Sequence, residues 1–111
     1  MMTRIQASTD QDSVDFEAMH RNAGEAVRLL KSLANESRLM IMCILAEGEI
    51  SVGQLNNRID LSQSALSQHL AILREKGLVE TRRQSQTIYY SLADSPAIGL
   101  IQKLHDIFCA A

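Results

Sequence analysis

Residues 61–92 read LSQSALSQHLAILREKGLVETRRQSQTIYYSL, and the spacing of their apolar residues changes at Gly77. Before Gly77 the apolar residues recur at helical spacing, and Ser62 stands where a helix favours an N-cap. After Gly77 the runs LVETRR and TIYYSLA are rich in β-branched and aromatic residues, with polar RRQSQ between them. The stretch therefore predicts a helix that ends at Gly77, where glycine suits the C-terminal cap, and then a β-hairpin.

A second, shorter helix is predicted directly before this one. Ser51 and Gln54 form the S-x-x-Q pattern of a capping box, which opens the helix SVGQLNNRI. Residues 60–62 make the turn between the two helices. Two short helices joined by a three-residue turn and followed by a hairpin are the elements of a winged helix-turn-helix. The predicted fold class is therefore mainly α with a β-hairpin wing.

The chain before the helix-turn-helix divides into a polar segment and two helices. Residues 1–13 are rich in Ser, Thr, Gln and Asp and predict a disordered tail, which leaves residues 14–111 as one domain. A first helix over about 15–34 carries apolar residues at heptad spacing, namely Phe16, Met19, Ala23, Ala26, Leu30 and Leu33. Asn35 then caps a second helix that ends at Gly48, with a predicted core face of Leu39, Met40, Cys43, Ile44 and Leu45.

The last helix is predicted to begin at Ser95 and Pro96, with Ser95 as the N-cap and Pro96 as the first helical residue. Its apolar residues follow at helical spacing: Ile98, Leu100, Ile101, Leu104, Ile107 and Phe108. This face and the heptad stripe of the first helix exceed what one subunit of 111 residues can cover. The sequence therefore predicts a homodimer formed through the first and last helices.

Charge is distributed unevenly along the chain. The net charge of −2 taken alone argues against a nucleic-acid partner, but residues 58–90 carry a local net charge of +2 between acidic flanks. A basic central segment is a weak indication of polyanion binding, and ordinary variation in surface charge explains it equally well. No apolar run reaches the roughly 20 residues of a membrane span, and the first 16 residues lack the apolar core of a signal peptide. We therefore expect a cytoplasmic protein with no membrane partner.

The outward side of the helix before Gly77 carries small polar groups, and residues 61–70 contain no acidic residue. Docking into a DNA major groove needs short side chains with hydrogen-bonding groups, whereas carboxylates there meet phosphate repulsion. We expect His69, at the boundary of this face, to bond to backbone or phosphate rather than to a metal. The predicted DNA-binding residues are Gln63, Ser64, Ser67, Gln68, His69 and Arg74 on the helix, and Arg82, Arg83 and Gln84 at the hairpin tip.

Two other interpretations of this region fit the residues less well than DNA binding does. No Ser-His-Asp order, paired-carboxylate motif or glycine-rich phosphate loop occurs, so neither an enzyme nor a cofactor is predicted. A winged helix used only for protein contact is a stronger alternative than an enzyme. That function does not require small polar residues on one helix together with arginines on the wing.

The segments LANESRLMIMCIL, SVGQL, LSQSALSQHLAILREKGLVETRR and IYYSL together resemble the ArsR/SmtB family of winged-helix repressors, over roughly residues 25–108. The resemblance implies a dimeric repressor whose first and last helices form the subunit interface. From the geometry of a dimeric helix-turn-helix we predict binding to double-stranded operator DNA with an imperfect palindrome. The family's DNA contacts fall on Gln63, Ser64, Ser67, Gln68 and His69, with Arg82 and Arg83 serving the wing.

The family's two metal-sensing patterns are missing here. Many members bind metals through a Cys-x-Cys pair in the first helix of the helix-turn-helix, where this chain reads Ser51-Val52-Gly53. Others use Asp and His ligands on the last helix, which offers only His105 and Asp106. Because adjacent residues on a helix point about 100° apart, these two cannot chelate one ion together. No metal ligand is therefore assigned.

Cys43 and Cys109 instead resemble the cysteine pair of the sulfide- and redox-responsive, BigR/SqrR/HlyU-like branch of the family. That resemblance implies that reactive sulfur species or oxidants link the two thiols, through a disulfide or a longer polysulfide bridge, and release the operator. We expect Cys43 to be shielded in its apolar helix and Cys109 to react first. The alternatives are a metal-responsive repressor and a redox-insensitive regulator with two inert core thiols.

Overall fold

The structure, a computed structural model, describes the backbone of residues 9–109 and side chains from residue 15 onward. The chain divides into a unit up to Lys31 and a unit from Ser32 onward. Its elements in chain order are α1 (Thr9–Leu33), α2 (Glu36–Leu45), β1 (Ile50–Ser51), α3 (Val52–Arg58), α4 (Gln63–Glu75), β2 (Val79–Gln84), β3 (Thr87–Leu92) and α5 (Ala97–Phe108). The mainly helical fold with a wing hairpin is confirmed.

The wing is a three-stranded antiparallel sheet with the strand order β1-β3-β2. The two long strands form the predicted hairpin, with Val79 opposite Leu92 at its base and Gln84 opposite Thr87 at its tip. Strand β1, which pairs Ile50 with Tyr90, was not predicted from the sequence. A strand of two residues is too short to show the alternation of polar and apolar side chains by which strands are recognised in a sequence.

Helix α1 begins earlier than predicted. It starts at Thr9, so residues 9–13 are helical where the sequence predicted a disordered tail, and residues 1–8 of that tail lie outside the described residues. Acidic residues are favourable in the first turn of a helix, and residues 9–13 read TDQDS. A local composition typical of disorder is therefore compatible here with the beginning of a helix.

Helix α2 has the predicted N-cap but a different buried face. The Asn35 side chain accepts a hydrogen bond from the backbone N–H of Arg38 at 3.0 Å. The predicted core face was partly wrong, because Met40 is 51% exposed and Ile41 and Met42 are fully buried. Every position from Leu39 to Leu45 is apolar, so the sequence pattern does not distinguish one face from another.

The helix-turn-helix is held by local hydrogen bonds. The capping box of Ser51 and Gln54 opens α3 as predicted, and the Ser62 hydroxyl caps α4 by accepting from Ala65 N at 3.1 Å. In the turn between the helices, Asn56 Nδ2 donates to the carbonyl oxygen of Leu61 at 2.9 Å. The side chains that α3 and α4 bury, Leu55, Leu66, Leu70 and Leu73, are at most 1% exposed. This core fixes which side of α4 faces outward.

The ends of α4 and α5 follow the sequence to within a residue. Gly77 has φ +74 after the end of α4, the left-handed conformation that glycine adopts without strain. Helix α5 begins at Ala97, one residue later than predicted, with Pro96 in the N-cap position. The Ser95 hydroxyl still accepts a hydrogen bond from Ala97 N at 3.3 Å.

Candidate nucleic-acid interface and thiol pair

Helix α4 presents an uncharged polar face to solvent over most of its length. Gln63, Ser64, Ser67 and Gln68 are all exposed, and Arg74 extends the same exposed side toward the end of the helix. Leu66, Leu70 and Leu73 occupy the buried side, so the polar face cannot rotate inward without exposing the core. The arrangement is that of a helix whose short side chains allow close approach of another surface.

His69 lies at the edge of this face and is half-buried. Its Nδ1 atom is buried and has no hydrogen-bond partner among the described residues. The backbone bond that the sequence suggested is therefore not made through Nδ1.

A groove of about 560 Å³ separates α4 from the wing. Ser67, Ala71 and Arg74 line it from α4, and Ile88 and Tyr90 line it from β3. Directly paired residues of an antiparallel sheet lie on the same face, so Arg83, opposite Ile88, shares the face that lines the groove. Arg74 thus lines this groove, and Arg83 lies on the side of β2 that faces it.

The three wing residues that were predicted to contact DNA differ in their surroundings. They lie in β2 rather than in a loop, because the turn is confined to residues 85–86. Arg82 forms a bidentate ion pair with Glu49, at 2.7 and 3.0 Å, and donates to Gln84 Oε1 at 3.0 Å. Among the described residues, no hydrogen bond or ion pair involves the side chain of Arg83, which is exposed.

Two glutamates flanking Gly48 each hold an arginine from another element. Arg58 at the end of α3 contacts Glu47 at 2.8 and 3.2 Å, and Arg82 contacts Glu49. Hydrogen bonds from these arginines lower the pKa of each glutamate. Sequence reasoning missed both pairs, since the partners lie 11 and 33 positions apart and only the folded chain brings them together.

Cys43 and Cys109 are both free thiols. Cys43 is half-buried on α2, Cys109 is exposed at the end of α5, and α2 contacts α5. Burial raises the pKa of Cys43 above its ordinary value of 9.0, and the negative charge of a Cys109 thiolate raises it further. The two thiols therefore lie on helices that contact each other.

Two further properties bear on what the described residues can bind. Among the side chains of residues 15–109, no group of three or more His, Cys, Asp or Glu is placed to hold a metal ion. In the same range, every helix is too short or too polar to cross a lipid bilayer.

A helix-turn-helix, an exposed polar second helix and an antiparallel wing define a winged helix-turn-helix regulator. The family model described as "Bacterial regulatory protein, arsR family" matches residues 35–81. Together with the relatives below, this match shows that the chain belongs to the ArsR family of bacterial transcriptional regulators. Proteins of this family bind DNA and are typically dimeric.

The similarity to named relatives extends over most of the chain. Transcriptional activator HlyU of Vibrio cholerae is 49% identical over 98 residues, which cover 88% of this chain and 91% of that protein. The biofilm growth-associated repressor of Agrobacterium fabrum is 45% identical over 108 residues, covering 97% and 92%. The solved structure of reduced HlyU from Vibrio cholerae matches with a TM-score of 0.79 at 50% identity, covering 84% of this chain and 98% of that one.

Proposed function

We propose that this chain is a homodimeric transcriptional repressor that binds double-stranded operator DNA through α4 and the wing. The observation that carries the proposal is the exposed face of α4, whose short uncharged side chains lie beside a groove that Arg74 lines, with Arg83 on the groove-facing side of β2. Serine and glutamine supply donors and acceptors for base edges, and the arginines supply charge for phosphates. A two-fold dimer would read an imperfect palindrome with half-sites about one helical turn apart.

Selection from a random duplex library with the purified full chain tests this proposal. We expect enrichment of a palindromic sequence. Ser67→Ala or Gln68→Ala should relax specificity at one position of each half-site by about 1–3 kcal/mol, because a base-edge contact is lost. Arg83→Ala should weaken binding to selected and random duplexes alike and reduce the salt dependence, because a phosphate contact is lost.

The matched control is Gln102→Ala, an exposed glutamine far in sequence from α4 and the wing, which lies more than about 100° around α5 from the exposed apolar Ile107 and Phe108. This change should leave both affinities unchanged. Failure to enrich any sequence contradicts the proposal. So do equal losses on selected and random DNA for all three variants, because base readout and phosphate contact then cannot be separated.

Exposed apolar surface supports the homodimer. On α1, Phe16 is 71% and Leu30 is 54% exposed, and on α5 Ile107 is 59% and Phe108 is 78% exposed. Large apolar side chains in such numbers on two helices are typical of a surface that another subunit covers. We therefore propose that α1 and α5 form the dimer interface.

We further propose that reactive sulfur species or other oxidants release the DNA by linking Cys43 to Cys109. The support is the electrostatic influence between the two thiols and the contact between α2 and α5. The Cys109 thiolate attacks a sulfur of a polysulfide and displaces a thiolate, which leaves a mixed polysulfide on Cys109. Cys43 then loses its proton to solvent, and its thiolate attacks that linkage and displaces a second thiolate. The two cysteines are oxidised by two electrons and the polysulfide is reduced.

Single substitutions and intact-mass measurement test this switch. Cys43→Ser and Cys109→Ser should each leave a protein that binds the selected duplex but does not respond to polysulfide, because the bridge needs both thiols. The mass of treated wild-type chain should show a bridge within one subunit, with zero to several added sulfurs. Zinc or arsenite should change DNA affinity little. Release by metal with no response to polysulfide would contradict the sulfur-sensing proposal.

A further inference from the structure

Arg82 makes more side-chain contacts than a freely exposed surface arginine would. Its guanidinium binds both carboxylate oxygens of Glu49, donates to Gln84 Oε1, and lies over the ring of Tyr89 with 4.6 Å between Cζ and the ring centroid. Stacking on an aromatic face and a bidentate carboxylate contact both restrict the orientation of the planar guanidinium. The side chain therefore occupies one defined position on the wing.

That position spans the sheet. Arg82 on β2 is paired directly with Tyr89 on β3, and Tyr89 is paired with Ser51 on β1. Glu49 immediately precedes β1, so the guanidinium crosses the central strand and reaches the far edge of the sheet. The ion pair consequently connects the wing hairpin to the segment that leads into α3.

The pleat of the sheet separates this contact from the groove beside α4. Ile88 and Tyr90 line the groove, and their partners across β2 are Arg83 and Thr81. Arg82 and Tyr89 alternate with these residues and so lie on the opposite face. The side of the wing that faces α4 therefore carries Arg83, while Arg82 lies on the other side.

We infer that Arg82 is a positioning residue, which fixes the wing hairpin to β1 through Glu49, and that Arg83 supplies the wing's contact with a DNA phosphate. The inference rests on the proposed function for the role of Arg83. It reassigns Arg82, which the sequence alone placed among the DNA contacts. The positive charge of Arg82 is matched by Glu49, so the pair adds no net charge to the DNA-binding surface.

Removing the positive charge of Arg82 or the negative charge of Glu49 distinguishes a positioning role of Arg82 from a phosphate contact. We expect Arg82→Gln and Glu49→Gln each to weaken binding of the selected duplex by about two- to fivefold, as for a half-exposed ion pair. The double variant should bind about as weakly as either single variant, because one shared contact is lost in all three. The salt slope should stay at its wild-type value in each.

Two control variants complete the DNA measurement. Arg83→Gln should lower the magnitude of the salt slope by about 0.9 for each wing, as expected when one phosphate contact is lost. Glu80→Gln removes one negative charge from the same strand and face as Arg82, with no arginine released, and should leave affinity unchanged. Tighter DNA binding by Glu49→Gln, or a lower salt slope in Arg82→Gln, would overturn the inference.

Hydrogen exchange of the wing decides the positioning role without DNA. Amides of β2 and β3 should exchange about two- to fivefold faster in both Arg82→Gln and Glu49→Gln, and at the wild-type rate in Glu80→Gln. Unchanged exchange in the first two variants would overturn the inference. If the wild-type chain binds no duplex, the proposed function fails, and the exchange rates still decide whether Arg82 positions the wing.

Discussion

Cys43 and Cys109 differ in their exposure to solvent, which is one of the properties that control the reactivity of a thiol. Cys43 is half-buried and its pKa is raised above 9.0, whereas Cys109 is exposed. The thiolate is the nucleophile, so a raised pKa leaves little of it on Cys43 at neutral pH. We predict that iodoacetamide at pH 7.5 alkylates Cys109 on the order of tenfold faster than Cys43, measured by peptide mass spectrometry over time.

The pH dependence of alkylation tests whether the raised pKa of Cys43 is the reason for its slower reaction. Because the pKa of Cys43 lies above 9.0 in the folded chain, its alkylation should keep accelerating as the pH rises past that value. The Cys109→Ser variant is the control, since removing the neighbouring thiolate should accelerate Cys43 at alkaline pH. Faster alkylation of Cys43 than of Cys109 at pH 7.5 would contradict the proposed order of attack.

The side chains of α4 and of the wing differ in how much of their role can be predicted from the sequence alone. The polar face of α4 was predictable because Leu66, Leu70 and Leu73 mark the buried side by their spacing. The environment of Arg82 was not, since its carboxylate partner Glu49 is 33 positions away. Local spacing reveals which way a helical residue points, but only tertiary structure reveals which charge it meets.

The turn of the wing hairpin contains a strained residue. Ser85 has φ +58, and it is the one non-glycine residue with positive φ in the part of the chain that the structure describes. This conformation costs a residue with a Cβ roughly 1–2 kcal/mol, partly offset by the greater freedom of glycine in the unfolded chain. We predict that Ser85→Gly stabilises the fold by about 0.5–1 kcal/mol, measured by urea denaturation.

The adjacent turn residue provides the control for this prediction. Gln86 has no positive φ, so Gln86→Gly gains no relief of strain and should destabilise the fold slightly. A loss of stability in Ser85→Gly equal to that in Gln86→Gly would show that the wing turn is not strained at Ser85.

Helix ends were more predictable than helix faces. Asn35, Ser51 and Ser62 were predicted as N-caps, and each accepts the expected backbone hydrogen bond, because capping depends on residues within one turn. The buried face of α2 was predicted only in part, since a helix that is apolar all round has no preferred side in its sequence. Strand β1 was missed because its pairing with β3 is non-local.

The proposed dimer interface on α1 and α5 predicts how a single substitution changes the oligomeric state. Leu30 lies on the exposed apolar stripe of α1 and is 54% exposed in the single chain. A carboxylate placed there would be buried without a partner in a dimer, so Leu30→Glu should produce a monomer of about 12.3 kDa at micromolar concentration, measured by sedimentation velocity.

The control for the dimer is Arg21→Glu. Arg21 lies on the opposite face of α1 from Leu30, nine positions and 180° away, and is exposed. The substitution introduces the same carboxylate and should leave the dimer intact. A wild-type chain that sediments as a monomer would refute the proposed interface.

Reversible release of DNA is the most direct test of the proposed regulator. The fluorescence anisotropy of the labelled, selected duplex is followed as reduced wild-type protein is added, then polysulfide, and finally dithiothreitol. We predict binding by the reduced protein, loss of at least about tenfold in affinity on adding polysulfide, and recovery of binding when the thiols are restored. An affinity for the selected duplex that is the same in the reduced, treated and restored states would contradict the account.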